Sequence, residues 1–305
     1  MSAVHIITGA TSGLGLAVAK RLAKKADCLI IAGVRNPQTI NPLKLAVPSK
    51  QLEVLQLDTS SPKLVKSFAR DVRMRLGDQK ITSLSCIAGL QILGPQKATV
   101  NGVDETFASN VMGHVLLVDE LRSHLAPGAT IVTIGSGTHD PKNRLASRGG
   151  FSGADFISVR AAVAGENTRP HRSERGQALD RYATSKLCAI YHATAIAADP
   201  TFADTHMYCY DPGLMPGTGL ARQQNALVRF VWKRVLPMLP YFVEGVSSPA
   251  QSAKFLVDRL IGGKGGHPSA THIEFTGKPA TSSAEAQDFD AAKNFLAEVR
   301  SMQES

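Results

Sequence analysis

Thr8-Gly9-Ala10-Thr11-Ser12-Gly13-Leu14-Gly15 follows directly on a short apolar run at residues 4–8, and its reading decides the fold. Apolar residues then recur at Leu14, Val18 and Leu22, the i, i+4, i+8 spacing of one helix face. The stretch is therefore a strand, a glycine-rich turn and a helix. Glycine lets the backbone turn sharply and approach a ligand closely. The N-terminus of the following helix offers free N–H groups and the positive end of its dipole, which suits a pyrophosphate. The Gly-x-x-x-Gly-x-Gly spacing differs from the Gly-x-Gly-x-x-Gly of many dinucleotide folds. No Gly-Lys-Ser/Thr follows, so it is not the phosphate loop of nucleotide hydrolases.

Outward from this turn, apolar runs alternate with helical patterns. Strands are expected at residues 28–34, 52–57, 81–88, 130–134, 206–210 and 272–275. Helices are expected around Leu64, Phe68 and Val72, along the stripe from Phe107 to Leu125, and at 179–198, 248–261 and 289–299. Pro127-Gly128 is read as the end of the long stripe. Strands apolar throughout and separated by amphipathic helices imply a parallel sheet covered on both faces. Right-handed crossovers favour one doubly wound α/β sheet of the Rossmann type, with about seven strands.

The second strand ends in Gly33-Val34-Arg35-Asn36. A fold of this kind that takes NAD carries an acidic residue there for the ribose 2′-hydroxyl. Arg35 suits a 2′-phosphate instead, so NADP(H) is the expected cofactor; a plain surface arginine is the alternative. Further on, Tyr182-Ala183-Thr184-Ser185-Lys186 lies in a helical stretch, and i, i+4 spacing puts Tyr182 and Lys186 on one face. A tyrosine is a poor acid or base near neutrality unless a neighbouring ammonium favours its phenolate. The pair is a candidate general acid/base.

With these residues in view, the chain resembles the short-chain dehydrogenase/reductase family in its ordinary, non-extended branch. The landmarks stand in the family's order over residues 3–262: the glycine turn, Leu57-Asp58, Ala88-Gly89, Asn110, Gly135-Ser136, Tyr182-x-x-x-Lys186 and Pro212-Gly213. The resemblance implies roles. Tyr182 would exchange a proton with the substrate oxygen, and Ser136 would hydrogen-bond that oxygen. Lys186 would hold the nicotinamide ribose and lower the Tyr182 pKa, and Asn110 would hold a relay water. Gly9, Thr11, Ser12, Gly13, Leu14, Gly15, Arg35, Asp58, Ala88, Gly89, Pro212 and Gly213 would contact the cofactor. The stretches 136–141 and 211–220 are similar to a retinol-dehydrogenase-, protochlorophyllide-reductase- and polyketide-ketoreductase-like subgroup, and its members imply a bulky apolar substrate.

Two departures stand out. Ile87-Ala88-Gly89 replaces the family's Asn-Ala-Gly, which puts local rigidity in question. Ser136 and Tyr182 are 46 positions apart, far more than most of the family needs. One catalytic domain over 1–305 is expected, with an inserted loop at 137–180 and a substrate lid at 214–245. The inserted loop is read as either functional or disordered.

Net charge is +9, without a nucleic-acid-binding signature; the basic residues fit either a solvated surface or anion binding. The four cysteines stand apart, as expected of a reducing, cytoplasmic setting. Residues 1–10 lack the basic start of a secretory leader, and no apolar run reaches the roughly 18 residues of a membrane helix. The stretch 227–243 would at most lie on a membrane. No metal site is expected, and either a homodimer or a monomer fits. Reduction of a carbon–carbon double bond and a non-catalytic NADP-binding regulator remain alternatives to the carbonyl/alcohol reading.

Overall fold

The computed structural model describes residues 2–24, 28–215, 245–262 and 269–304. Its sheet has the order β3-β2-β1-β4-β5-β6-β7, with every described pair parallel. The strands are β1 (Ala3–Thr8), β2 (Cys28–Val34), β3 (Leu52–Gln56), β4 (Ile81–Cys86), β5 (Leu125–Ile134), β6 (His206–Asp211) and β7 (His272–Glu274). The chain walks outward from β1 to β3 and then crosses back to β4 beside β1. That reversal is the switch point at which such sheets open a crevice at their carboxyl edge.

Alternate residues of each strand feed two cores. Val4, Ile6, Ile31, Leu84 and Ile131 face one side; Ile7, Ile30, Ala32, Val34 and Val132 face the other. Both sets are buried, so the central strands are largely apolar on both faces, with a few buried polar residues such as His5, Thr8, Ser83 and Ser85 among them. The first face is covered by α3 (Pro62–Leu76), α5 (Gly113–Leu121), α8 (Glu174–Ala197) and α10 (Phe289–Glu304). The second is covered by α1 (Gly13–Leu22), α2 (Asn41–Ala46) and α9 (Pro249–Gly262).

The long apolar stripe is not one helix. It starts as α4 (Glu105–Phe107), widens into a π turn (Ala108–Met112) and resumes as α5. Leu125 and Pro127-Gly128, read as its end, belong to β5 instead. A register shift between the Ile81 and Ser83 pairings absorbs Pro127-Gly128, with Gly128 at φ +76° and its N–H on the Asp204 carbonyl at 2.6 Å.

Residues 137–180 are built, not open chain. Asn143, Ser158 and Ser173 cap α6 (Arg144–Arg148), α7 (Val159–Ala164) and α8 through their side-chain oxygens. The expected lid at 214–245 and the stretch 227–243 fall almost wholly outside the described residues.

Four buried histidines shape the acid stability of the fold. Burial holds His5 and His114 down to about 4, and His192 and His272 to about 3. Their native pKa values lie below that of an unfolded histidine, so the unfolded chain binds more protons. The stability they confer is present above about pH 6.5 and is lost as pH falls toward 4. The carboxyls of Asp104, Asp211 and Glu285 are shifted upward and work in the opposite direction. A difference measurement isolates one histidine. His192 Nε2 is buried without a hydrogen-bond partner. Between pH 7.5 and 5.5, the His192→Leu variant is expected to lose about 1 kcal/mol less unfolding free energy than the parent. Equal losses in urea titrations would contradict this.

Candidate active site

The predicted site residues all leave the carboxyl edge of the sheet or lie on helices that overhang it. Gly9 to Gly15 turn from β1 into α1, Arg35 follows β2, Asp58 follows β3 and Ala88-Gly89 follow β4. Ser136 follows β5, Pro212-Gly213 follow β6, and Tyr182 and Lys186 lie on α8.

The glycine turn needs its glycines. Gly9 sits at φ +71°, and a Cβ there would stand 2.9 Å from the Ala88 Cα. A Cβ on Gly15 would strike the Gly9 carbonyl. The turn is thus packed closely against the β4 exit, with no room for a side chain at Gly9 or Gly15, a close backbone turn that suits a pyrophosphate. Leu14 contributes backbone alone, because its side chain is buried in the core. Arg35 is exposed beyond β2, clear of that core.

The segment after β4 is pinned despite Ile87. Ala88 N–H donates to Thr8 Oγ1 at 2.8 Å. Leu90 N–H donates to Asn110 Oδ1 at 2.8 Å, and Asn110 Nδ2 returns a bond to the Leu90 carbonyl at 2.9 Å. Asn110 occupies the π turn, a local form that recurs at functional sites. Its Nδ2 also donates to Ser185 Oγ at 3.0 Å, and Ser185 Oγ donates to the Tyr182 carbonyl at 2.7 Å. Both amide donors are therefore committed. A relay water would have to use an acceptor of Asn110, and His114 Nδ1 already donates to its carbonyl at 3.3 Å.

His114 also ties the π turn to the glycine turn. With Nδ1 donating, its Nε2 accepts from Thr8 Oγ1 at 3.1 Å. Sequence reasoning quoted Thr8 and Ser185 within their motifs without giving either a role, and it missed His114, which carries no local signal.

Ser136 Oγ accepts from Thr138 N–H at 3.3 Å and so caps the short turn Gly137–His139. Its hydroxyl proton stays available for a substrate oxygen. His139 is fully buried beneath; its Nδ1 donates to the Ser136 carbonyl at 2.6 Å, and its Nε2 accepts from Ser283 N–H at 3.3 Å.

Lys186 Nζ donates to the Ile134 carbonyl at 3.0 Å and lies 5.3 Å from the Tyr182 ring centroid. Helical spacing has brought the pair together, but the ammonium is aimed at backbone and not at the phenol. Burial lowers the Lys186 pKa to about 8. Burial and then the Asp211 charge push the Tyr182 phenol upward, which reverses the expectation that Lys186 lowers it. Phe151, from the inserted segment, sits 6.0 Å from the Tyr182 ring, so the insertion forms one wall of this site.

The fold and this constellation define a doubly wound, dinucleotide-type α/β protein with a Ser–Tyr–Lys group at the carboxyl edge of its sheet. The short chain dehydrogenase family profile matches residues 3–147. Human polyprenol dehydrogenase is 30% identical over 218 residues, covering 67% of this chain and 62% of that protein. Protochlorophyllide reductase B from Oryza sativa subsp. japonica is 29% identical over 278 residues, covering 82% and 64%. The chain thus spans less than two thirds of the length of these two curated relatives. Among solved structures, an NADPH-bound carbonyl reductase from chicken fatty liver shares the fold at TM-score 0.66 and 17% identity, covering 92% of this chain and 99% of that one. The chain belongs to the short-chain dehydrogenase/reductase family.

Proposed function

We propose that this protein is an NADP(H)-dependent oxidoreductase that transfers hydride between the nicotinamide and a carbonyl or alcohol of a bulky apolar molecule. The observation that carries the reading is Lys186 lying against Tyr182 on one face of α8, beside the Ser136 turn at the carboxyl edge of the sheet. When bound, the cofactor supplies or accepts the hydride. The protein's own residues do the rest. Gly9, Thr11, Ser12, Gly13, Leu14 and Gly15 would hold the pyrophosphate, Arg35 the 2′-phosphate and Asp58 the adenine. Ala88-Gly89 and Pro212-Gly213 would flank the cofactor, and Lys186 would bind the nicotinamide ribose. Ser136 Oγ–H would hold the substrate oxygen while Tyr182 O–H donates its proton to it. The relatives' names, which include a polyprenol dehydrogenase and a protochlorophyllide reductase, support an apolar substrate.

Arg35 sets a measurable preference. An arginine on a phosphate makes charge-assisted bonds worth about 1.5–3 kcal/mol, so Arg35→Ala is expected to weaken NADPH binding roughly 10- to 100-fold and leave NADH binding unchanged. Fluorescence titration with both cofactors checks this, and an unaltered NADPH affinity would sink the assignment.

The similarity to protochlorophyllide reductases favours a second reading, reduction of a carbon–carbon double bond with Tyr182 protonating carbon. Incubating the protein with NADPH and a panel of bulky apolar ketones and enones tests both. Alcohol products support the first reading, and saturated products support the second. No NADPH consumption with any of them counts against both. Four buried free cysteines support a reducing, cytoplasmic-type compartment. Among the described residues, no helix is long and apolar enough to cross a membrane.

A further inference from the structure

Asp211 closes β6 immediately before the Pro212-Gly213 turn. Its Oδ1 accepts from Gly213 N–H at 2.8 Å, and the carboxylate also accepts from Gly137 N–H, the first residue after Ser136. One side chain therefore joins the turn that carries Ser136 to the turn that follows β6. A Cβ on Gly137 would lie in ordinary van der Waals contact with Asp211 Oδ2, and Gly213 takes a positive φ of +72° as the chain leaves β6.

Several titratable groups face this carboxylate. From α8 come Lys186 and Tyr182, and from the turn after β5 comes His139. From its own strand come Cys209 and Tyr210. On β7, Glu274 pairs with it in register, and His272 packs edge-on against His139. The two ring nitrogens of His139 are held by the Ser136 carbonyl and the Ser283 N–H. His139 and Lys186 both face Asp211 and favour its charged form.

We propose that Asp211 is a positioning residue of this site: it locks the Ser136 and Pro212-Gly213 turns together and supplies the negative charge that faces the Lys186 ammonium. The inference rests on the acid/base reading of Tyr182 and Lys186.

The test is the Asp211→Asn variant, which keeps the shape and an acceptor but removes the charge. Carbon-13 NMR of protein labelled at lysine Cε follows the Lys186 ammonium directly, with its signal assigned by loss in Lys186→Arg. In the parent, burial is expected to place its midpoint near 8. Removing a nearby opposite charge is expected to lower that midpoint by about one pH unit, a tenfold loss of proton affinity. The alkaline limb of alcohol oxidation is expected to move to lower pH in parallel. A purely structural staple would reduce thermal stability and leave the Lys186 titration in place, and that result overturns the proposal. If Asp211→Asn does not fold, the parent protein carries the test. Its Lys186 signal should show a second inflection at acid pH as Asp211 takes up a proton, and a single inflection overturns the proposal. Full turnover in Tyr182→Phe would instead refute the acid/base reading and leave the Lys186–Asp211 coupling intact, so the two failures are distinguishable.

Discussion

Replacing Tyr182 by phenylalanine is expected to cut turnover about 10³-fold while NADPH binds as before, because general acid/base catalysis contributes about 10²–10⁴-fold. That loss is about 4 kcal/mol of transition-state stabilisation. The substitution removes one hydroxyl and leaves the ring that packs 6.0 Å from Phe151 and 5.3 Å from Lys186 Nζ. The Asn110–Ser185 chain ends on the Tyr182 backbone carbonyl, which survives the change. A fall in kcat with unchanged KM and cofactor affinity therefore isolates the proton-transfer role. Steady-state kinetics with fluorescence titration of NADPH reads both quantities. Full activity in this variant would remove Tyr182 from the chemistry.

The buried phenol also fixes a pH dependence. Burial and Asp211 hold its pKa above the ordinary tyrosine value, so the donating form persists across the neutral range. Carbonyl reduction should then lose no activity to Tyr182 ionisation up to pH 9, whereas alcohol oxidation, which needs the phenolate, should still be rising there.

The backbone of this site was legible in the sequence because its causes are local. The apolar runs of β1, β2 and β4 are buried on both faces, so no other reading suited them. The glycines of the first turn are dictated by a positive φ at Gly9 and by the contact of Gly9 with Ala88. Tyr182 and Lys186 share a face through helical spacing alone. What escaped depends on partners distant in the chain. Thr8 and His114 meet across 106 positions, and His139 and Ser283 across 144. The π turn at Asn110 leaves the apolar stripe nearly in phase, so the stripe read as one helix. Lys186 found the Ile134 carbonyl, a strand-end acceptor that helix spacing does not reveal. In residues 137–180 the apolar periodicity is weak, and the helices there announce themselves chiefly by their Asn143, Ser158 and Ser173 caps.

The same segment carries the largest expected effect on stability. Asp180 is fully buried on α8, two residues before Tyr182. Its carboxylate accepts from Arg169 Nη1 at 3.2 Å, from Arg172 Nη1 and from Asn167 Nδ2 at 3.2 Å. The two guanidiniums also donate to the carbonyls of Gly150, Gly153 and Ala154. Asp180 thus neutralises the two cations that gather the inserted loop onto α8. Asp180→Ala would strand both, and removing one partner of a buried ion pair costs about 3–5 kcal/mol. The arginines retain 27% and 17% side-chain exposure, so water recovers part of the loss and the lower end, about 3 kcal/mol, is expected. Urea unfolding measures it, and a loss under about 0.5 kcal/mol, typical of surface substitutions, would show that the cluster is dispensable. Because the cost comes from unpaired charge, Asp180→Leu combined with Arg169→Met and Arg172→Met should recover much of it. Recovery should stay incomplete, since the Gly150, Gly153 and Ala154 carbonyls lose their donors. In the single variant, Phe151 is released from its place beside Tyr182. KM for an apolar substrate should therefore rise, and proteolysis should begin within residues 150–172 before the sheet unfolds.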